Sequence, residues 1–252
     1  KKYDQEHYLY ITPSKADFHY ENLLRSQKAI ARKQAIKPID YFFELIRETE
    51  IPYLICRDMR EELDYPAYYT TGTHWSRTYE QTVSAQIIDE LSELTGKNYR
   101  KIEFSGINQS EHPFWRDSDV YDLLNVWNES NGEIYYEYEE VRDDSNDYDR
   151  IRMLVQGTSY AQGLRRDVGI VYPYEDVYYM NRTDYIMDMQ DNIKTIDSLE
   201  NFDLSYYLDN VDAVVLETTE AELTAYSWGF LDYLIDFLDG YEPQEYNGNY
   251  ID

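Results

Sequence analysis

Cysteine and positive charge are both scarce in this sequence. A single cysteine, Cys56, excludes a disulfide within the chain. Lysine and arginine number 23 against 50 aspartates and glutamates, which gives a formal net charge of −27. Such a field repels nucleic acids and anionic membrane surfaces, because their binders need basic patches. We therefore expect no nucleic-acid partner, and the spread of acidic residues along the chain predicts a solvated surface.

Long apolar runs, metal-ligand spacings and nucleotide-binding loops are missing as well. No run of 18 apolar residues occurs, so the sequence predicts no transmembrane helix. The four histidines are scattered, without His-x-x-x-His or Cys-x-x-Cys spacing, which disfavours a metal enzyme. Neither Gly-x-x-x-x-Gly-Lys nor Gly-x-Gly-x-x-Gly is present for a nucleotide. We expect no cofactor.

Tyrosine, in contrast, is abundant. The chain has 29 tyrosines in 252 residues, several of them in pairs such as Tyr68-Tyr69 and Tyr178-Tyr179. A tyrosine offers a flat apolar face and a hydroxyl, which suits strand packing and also suits contact with sugar rings. Most of these residues serve ordinary packing, and the excess favours a carbohydrate ligand.

Short apolar runs alternate with helical patterns along the chain. Strands are predicted at residues 9–11, 53–56, 151–156, 177–180 and 213–216. Helices are predicted at residues 39–48, 82–94, 160–166 and 226–238. Strands separated by helices predict an α/β fold with a mostly parallel central sheet and helices on both faces. We expect residues 1–252 to form one domain, with an exposed acidic hairpin or loop around 130–150.

One predicted strand ends in a small-residue turn, Gly157-Thr158-Ser159, before a helix. Ligands of open parallel sheets bind beyond the carboxyl ends of the strands. A serine there exposes its hydroxyl, and its N–H lies near a helix N-terminus that favours negative charge. Ser159 is therefore a candidate nucleophile, and a simple helix N-cap is the alternative.

A hydroxyl nucleophile needs a base, and histidine is the usual one because it titrates near neutral pH. Of the four histidines, His74 has the most suitable position, between a Gly/Thr turn and a helix and beside Trp75. A structural role is the alternative for any lone histidine. The two motifs must therefore be judged together.

Together they resemble the SGNH/GDSL hydrolases, and among these the alginate O-acetyltransferase group. Gly157-Thr158-Ser159 stands where SGNH hydrolases carry Gly-Asp-Ser, and Thr73-His74-Trp75 resembles the Asp-x-His-Trp block of the acetyltransferase group. Further similar segments follow the same order along the chain, at residues 11–16, 117–124, 178–182 and 213–220.

The resemblance implies a flavodoxin-like, three-layer α/β sandwich with a Ser-His-Asp triad, in which Ser159 is the nucleophile and His74 the base. It implies O-acetylation of an exported polysaccharide, with the acyl group delivered by a membrane acyltransferase partner. The sequence has no initiator methionine and no signal peptide. We expect the extracellular face of the cell envelope, with an anchor that lies outside this sequence.

The sequence departs from the family at the triad carboxylate, because Gly72 stands where the group has its aspartate. Three outcomes are open. The chain works as a Ser-His dyad with His74 oriented by a backbone carbonyl, or another carboxylate (Asp64, Glu80 or Asp119) reaches His74, or catalysis is lost and a glycan-binding module remains.

Four further residues are candidates for the pocket. Arg182 and Asn181, at the end of a predicted strand, are candidates to hold an oxyanion or a sugar. Tyr160 and Trp75 are candidates to line the site, with core packing as the alternative for each. The prediction is serine-dependent acetyl transfer to or from a cell-surface polysaccharide, as an O-acetyltransferase or an acetylesterase.

Overall fold

The structure is a computed structural model that describes residues 5–19, 21, 23–26, 28, 38–124, 132–142, 145, 147–171 and 176–240. Its strands are β1 (Glu6–Thr12), β2 (Tyr53–Ile55), β3 (Phe104–Ser110), β4 (Tyr135–Glu140), β5 (Arg152–Gly157), β6 (Asp176–Asn181), β7 (Tyr185–Met187), β8 (Ile193–Thr195) and β9 (Ala213–Thr219). Its helices are α1 (Lys15–Phe18), α2 (Pro38–Arg47), α3 (Arg77–Thr95), α4 (Asp119–Leu124), α5 (Ala161–Val171), α6 (Leu204–Asn210) and α7 (Phe230–Gly240). Short 3-10 helices occupy Cys56–Glu62, Leu199–Asn201 and Leu223–Gly229.

A seven-stranded sheet has the strand order β2-β1-β9-β5-β6-β7-β8. The first five of these strands run parallel, and β7 and β8 extend the β6 edge as antiparallel strands. Strands β3 and β4 form a separate antiparallel pair.

Two apolar cores lie on opposite faces of the sheet, because side chains alternate along each strand. On β1, Tyr8 and Tyr10 join the core that includes Val83 of α3 and Leu164 of α5. The intervening Leu9 and Ile11 join the other core, with residues of α2, α6 and α7. This is the three-layer α/β sandwich with a mostly parallel sheet that the sequence predicts.

The five predicted strands and four predicted helices are present, but several of their ends are shifted. Helix α3 begins at Arg77, five residues before the predicted start, since the Ser76 hydroxyl accepts a hydrogen bond from the N–H of Tyr79 and caps the helix. The prediction for 226–238 was wrong at its start, because a 3-10 helix ends at Gly229 and α7 begins at Phe230. The short strands β3, β4, β7 and β8 were not predicted.

The acidic segment around 130–150 is more ordered than an exposed loop. It contains β4, in which Tyr135 is fully buried and packs against Tyr69 with ring centroids 4.5 Å apart. Residues 130, 131, 143, 144 and 146 lie outside the described residues. The single-domain assignment stays a prediction.

The parallel strands end at one edge of the sheet. In the register of the sheet, Thr12 pairs with Thr219, and Gly157 pairs with Asn181. That edge is where ligands of open α/β sheets bind. Within the ranges given above, no helix is both long and apolar enough to cross a membrane.

Candidate active site

The Ser159 turn joins β5 to α5 at this edge of the sheet. The Thr158 carbonyl accepts a hydrogen bond from the N–H of Ala161 at 3.1 Å, and the Thr158 hydroxyl accepts one from the N–H of Tyr160 at 3.2 Å. Gly157 leaves no room for a side chain, since a Cβ there would lie 2.6 Å from Glu217. The turn is therefore fixed from both sides, and Ser159 stands half-buried at its tip.

The imidazole of His74 meets this hydroxyl. Its Nε2 lies 2.6 Å from Ser159 Oγ, although the two residues are 85 positions apart in the sequence. His74 is held in the short segment before α3, where the N–H of Ser76 donates to the Ala67 carbonyl at 2.7 Å. A base within hydrogen-bond reach of a hydroxyl is the arrangement that activates a serine nucleophile.

The other imidazole nitrogen, Nδ1, bonds to Oδ2 of Asp119, the first residue of α4. Thr73 also donates to this carboxylate, with its N–H to Oδ1 at 2.5 Å and its hydroxyl to Oδ2 at 2.6 Å. Burial disfavours the charged carboxylate, but the hydrogen bonds from His74 and Thr73 outweigh it and lower the pKa of Asp119 to about 2. Asp119 is therefore an anion facing the imidazole, as a triad carboxylate must be.

Because Gly72 has no side chain, the backbone of the segment that carries Asp119 can pack closely against it. A Cβ on Gly72 would lie 2.9 Å from the carbonyl oxygen of Asp117 and 3.2 Å from that of Arg116. The Thr71 carbonyl accepts a hydrogen bond from the N–H of Val120 at 2.9 Å, which ties the two segments together. The glycine thus makes room for the chain that carries Asp119.

Beneath the nucleophile turn lies Glu217 of β9, whose side chain is fully buried. Its carboxylate accepts hydrogen bonds from the Thr12 hydroxyl at 2.7 Å, and from the N–H and hydroxyl of Thr158 at 2.6 and 2.8 Å. Burial raises the pKa of Glu217 to about 7, although these hydrogen bonds oppose the shift. The carboxyl group joins the ends of three parallel strands directly behind Ser159.

Arg116 is a site residue that the sequence analysis missed. One terminal nitrogen of its guanidinium donates to the backbone carbonyl of Ser159 at 2.7 Å and lies 3.5 Å from His74 Nε2. The other terminal nitrogen donates to Oε1 of Gln162. The only signal in the sequence was the position of Arg116, three residues before the candidate Asp119.

The two aromatic candidates have different surroundings. The ring of Tyr160 is half-buried 4.9 Å from the ring of His74, and its hydroxyl donates to the Thr73 carbonyl at 3.0 Å. Trp75 is buried and packs between Tyr160 and Tyr79, with centroids 5.2 Å from each. Tyr160 therefore borders the imidazole, whereas Trp75 belongs to the core behind it.

The two candidates at the end of β6 do not contact Ser159 through any hydrogen bond seen among the described residues. The guanidinium of Arg182 pairs with Glu222 at 2.9 Å, while its backbone N–H donates to the Gly157 carbonyl at 2.6 Å. Asn181 lies beside Gly157 in the β5–β6 register. Their contribution to the turn is through the backbone.

Two of the three candidate carboxylates were wrong as partners of His74. Glu80 is buried and binds Arg77 at 2.9 Å and Arg166 at 2.6 Å, because its position on the first turn of α3 directs it toward α5. Asp64 is exposed, and its charge acts on Tyr138 of β4. Asp119 is the carboxylate that the fold brings to the imidazole. Among the residues that the structure describes, no group of three or more histidine, cysteine, aspartate or glutamate side chains could hold a metal ion.

Comparison with solved structures finds similar folds. A DHHW family protein from Eubacterium siraeum is 8% identical with a TM-score of 0.51, and the match covers 96% of this chain and 84% of that one. The O-acetyltransferase domain of Pseudomonas putida AlgJ is 12% identical with a TM-score of 0.47, over 94% of this chain and 84% of that domain. Pseudomonas aeruginosa AlgX is 14% identical with a TM-score of 0.46, over 90% of this chain and 57% of AlgX.

No protein-family model and no curated protein matches the sequence. At 8% identity, the likeness to the DHHW family protein shows a shared fold and leaves the chemistry to the residues of this chain. The observed fold is an α/β sandwich with a mostly parallel central sheet, as the sequence predicts.

Proposed function

We propose that this chain is a serine-dependent O-acyltransferase that moves an acetyl group to or from a polysaccharide through an acyl-enzyme on Ser159. One observation carries the proposal: a continuous chain of hydrogen bonds from Asp119 through His74 to the Ser159 hydroxyl. That arrangement performs nucleophilic acyl transfer on several unrelated folds. O-acetyl transfer is also the reaction named for the AlgJ domain, but the proposal rests on the triad.

In the first half-reaction, Ser159 Oγ attacks the carbonyl carbon of an acetyl ester while His74 Nε2 takes the hydroxyl proton. The imidazolium is stabilised by the anionic Asp119. The tetrahedral oxyanion forms beside the amino end of α5, where backbone N–H groups favour negative charge. The oxyanion collapses, the bond to the leaving alcohol breaks, and the alcohol leaves with the proton from His74.

In the second half-reaction, a sugar hydroxyl or water attacks the acetyl-serine ester. His74 takes the proton of the attacking group and returns it to Ser159 Oγ when the ester bond breaks. The acceptor alone decides whether the product is an acetylated sugar or free acetate. The same triad therefore supports a transferase and an acetylesterase.

The polysaccharide is part of the proposal on the basis of the motif resemblance and the tyrosine content of 29 residues. On the basis of the motif resemblance alone, we propose that a membrane acyltransferase supplies the acetyl group at the extracellular face of the cell envelope. The rival interpretation, a glycan-binding module without catalysis, was based on the absence of a triad aspartate at Gly72 and on the tyrosine excess. Because Asp119 bonds to the imidazole, the first of these grounds no longer supports the rival, and the tyrosine excess fits either interpretation.

A labelled fluorophosphonate, which esterifies activated serines, tests the proposal. We expect one adduct on Ser159 in the wild-type protein and none in Ser159→Ala, with kcat for 4-nitrophenyl acetate reduced by about 10⁶-fold in the variant. A suitable control is Ser105→Ala, because Ser105 is an exposed serine on β3. A folded wild-type protein that acquires no adduct on Ser159 would overturn the proposed function.

A further inference from the structure

Several residues with a left-handed backbone conformation occur in the structure, and two of them contact the strand end that leads to Ser159. Among the described residues, five that are not glycine have a positive φ: Trp115, Arg182, Asp191, Ser227 and Trp228. Arg182 lies against the turn through its bond to Gly157, and the Gln156 side chain donates to the carbonyls of Arg182 and Ser227. For a bulky residue this conformation is strained, and such residues cluster at functional sites.

Trp115, with a φ of 47°, is a large aromatic residue that is nevertheless 49% exposed to solvent. The guanidinium of Arg166 lies 4.2 Å from its ring centroid, and that of Arg116 lies 5.4 Å from it. Arg166 is fixed in turn by Glu80 at 2.6 Å. The indole thus makes a cation–π contact with the guanidinium of Arg166, which Glu80 holds in place, while about half of the residue is exposed to solvent.

Trp115 is also close to Ser159 in space, because the next residue, Arg116, binds the Ser159 backbone. Arg116 follows it in the chain and donates to the Ser159 carbonyl at 2.7 Å. A ligand on the indole would therefore lie next to the Arg116 guanidinium, and the guanidinium lies next to His74 Nε2 at 3.5 Å. Core packing does not explain the indole, because an aromatic ring that serves the core is buried, as Trp75 is at 3% exposure.

We propose that Trp115 and Arg116 form the acceptor subsite, in which a pyranose ring stacks on the indole and Arg116 donates a hydrogen bond to a sugar oxygen. This inference rests on the proposed function. The flat apolar face of the indole matches the C–H face of a pyranose. The adjacent guanidinium orients the sugar, so that one hydroxyl is directed at the acetyl-serine ester. The strained backbone at Trp115 would then be explained by the need to hold the ring at the entrance of the candidate active site.

The test measures how the acetyl-enzyme divides between sugar and water. With 4-nitrophenyl acetate as donor, and cellohexaose, N-acetylchitohexaose or a mannuronate hexamer as acceptor, the ratio of transfer to hydrolysis is measured for wild type, Trp115→Ala and Trp115→Phe. We expect the ratio to fall about tenfold in Trp115→Ala, through a higher KM for the sugar, and to recover in Trp115→Phe. A merely structural loss would lower both reactions together and leave the ratio unchanged.

Tyr41→Ala is the matched control, since Tyr41 is an aromatic residue with 56% exposure on α2. An unchanged ratio in Trp115→Ala would overturn the subsite while leaving the acyl-enzyme intact. If no acetyl-enzyme forms, the proposed function fails, and titration of the three hexasaccharides still tests the subsite. Binding about tenfold weaker in Trp115→Ala than in Tyr41→Ala supports it, and wild type that binds none of the three overturns it.

Discussion

Two networks of charged side chains lie side by side in this protein, and they differ in the solvent exposure of their central side chains. In the first, the side chain of Arg77 has 0% exposure and binds carboxylates of α3, β4 and α5; its partners are Glu80, Glu137, Glu140 and Asp167. In the second, the side chains of His74 and Asp119 are each 18% exposed, and the chain of bonds ends on the Ser159 hydroxyl. Trp75 lies between the two networks, since it follows His74 and its Nε1 donates to Glu80 at 3.4 Å.

The comparison of the two networks shows which structural property distinguishes the candidate active site from a structural cluster of charges. Both networks join residues that are far apart in the sequence, and both contain groups with shifted pKa values; burial, for example, raises the pKa of Asp167. In the Arg77 network, the guanidinium and three of its four carboxylate partners are buried, Glu137 alone being partly exposed, and the ion pairs tie two helices to β4. The triad lies at the carboxyl ends of the parallel strands and leaves a nucleophile at its outer end. Position at that edge of the sheet, with a hydroxyl at its accessible end, distinguishes the proposed catalytic network from the structural one.

Among the variants that compare the two networks, the largest expected effect comes from Asp119→Asn, which removes the charge of the carboxylate that bonds to His74. In the wild type, both Thr73 Oγ1 and His74 Nδ1 bond to Oδ2 of Asp119. An amide NH₂ at that position would donate to Nδ1 and hold the imidazole proton on Nε2, where it cannot accept the serine proton. We expect kcat for 4-nitrophenyl acetate to fall about 10³–10⁴-fold with little change in the melting temperature.

Asp64→Asn makes the same chemical change at an exposed carboxylate outside the triad, and it should keep wild-type kcat. If Asp119→Asn retained more than a tenth of the activity, the site would work as a Ser-His dyad. The imidazole would then be oriented without Asp119.

The second-largest effect is expected for Arg77→Leu, which removes the guanidinium at the centre of the Arg77 network. Without the guanidinium, the buried carboxylates of Glu80, Glu140 and Asp167 lose a shared counter-charge. Loss of one partner from a buried ion pair costs about 3–5 kcal/mol, because the remaining charge stays uncompensated. We expect the free energy of unfolding, measured with urea, to fall by that amount.

Arg47→Leu is the control for this variant. It breaks a 2.8 Å pair with Asp58 in which the two side chains are 46% and 58% exposed, so the loss should be about 0–1 kcal/mol. Comparable losses in the two variants would contradict the structural role given to the Arg77 network.

The fold could be predicted from the sequence because its signals are local. The strand ending at Gly157 reads as apolar residues followed by a small-residue turn, and the pattern of α3 follows from residues such as Val83 and Ile87. The position of Ser159 could be predicted as well, because it follows the carboxyl end of a parallel strand, whereas its contact with His74 was predicted from the joint resemblance of the two motifs to the SGNH hydrolases.

The rest of the site could not be predicted, since it depends on how loops pack against each other. Nothing in the sequence distinguishes Asp119 from Asp64 or Glu80 as the partner of His74. The choice follows from the space beside Gly72, where the backbone of Arg116 and Asp117 fits closely. Loop packing of this kind also places Arg116 on Ser159, and no short sequence pattern encodes it.

The smallest effect concerns Glu217, which combines features of both networks: it is fully buried, yet it holds Thr158 next to the nucleophile. Its pKa is raised to about 7 from 4.5, so the folded state binds more protons than the unfolded state between these values. Stability from this group is therefore highest at low pH and falls as the pH rises from about 4.5 to 7. In Glu217→Gln this loss disappears, because the amide stays neutral and can still accept from Thr158.

We expect Glu217→Gln to gain stability relative to wild type by about 2 kcal/mol more at pH 8 than at pH 5, in urea unfolding at the two pH values. Ser159→Ala keeps Glu217 and should show the wild-type pH dependence, which makes it the control. A constant difference between Glu217→Gln and wild type at both pH values would mean that Glu217 is already ionised at pH 5 in the folded protein. The carboxylate would then be a permanent anion that holds the Thr158 turn, as Asp119 holds His74. Glu217 would in that case belong with the Asp119–His74–Ser159 network and not with the buried structural one.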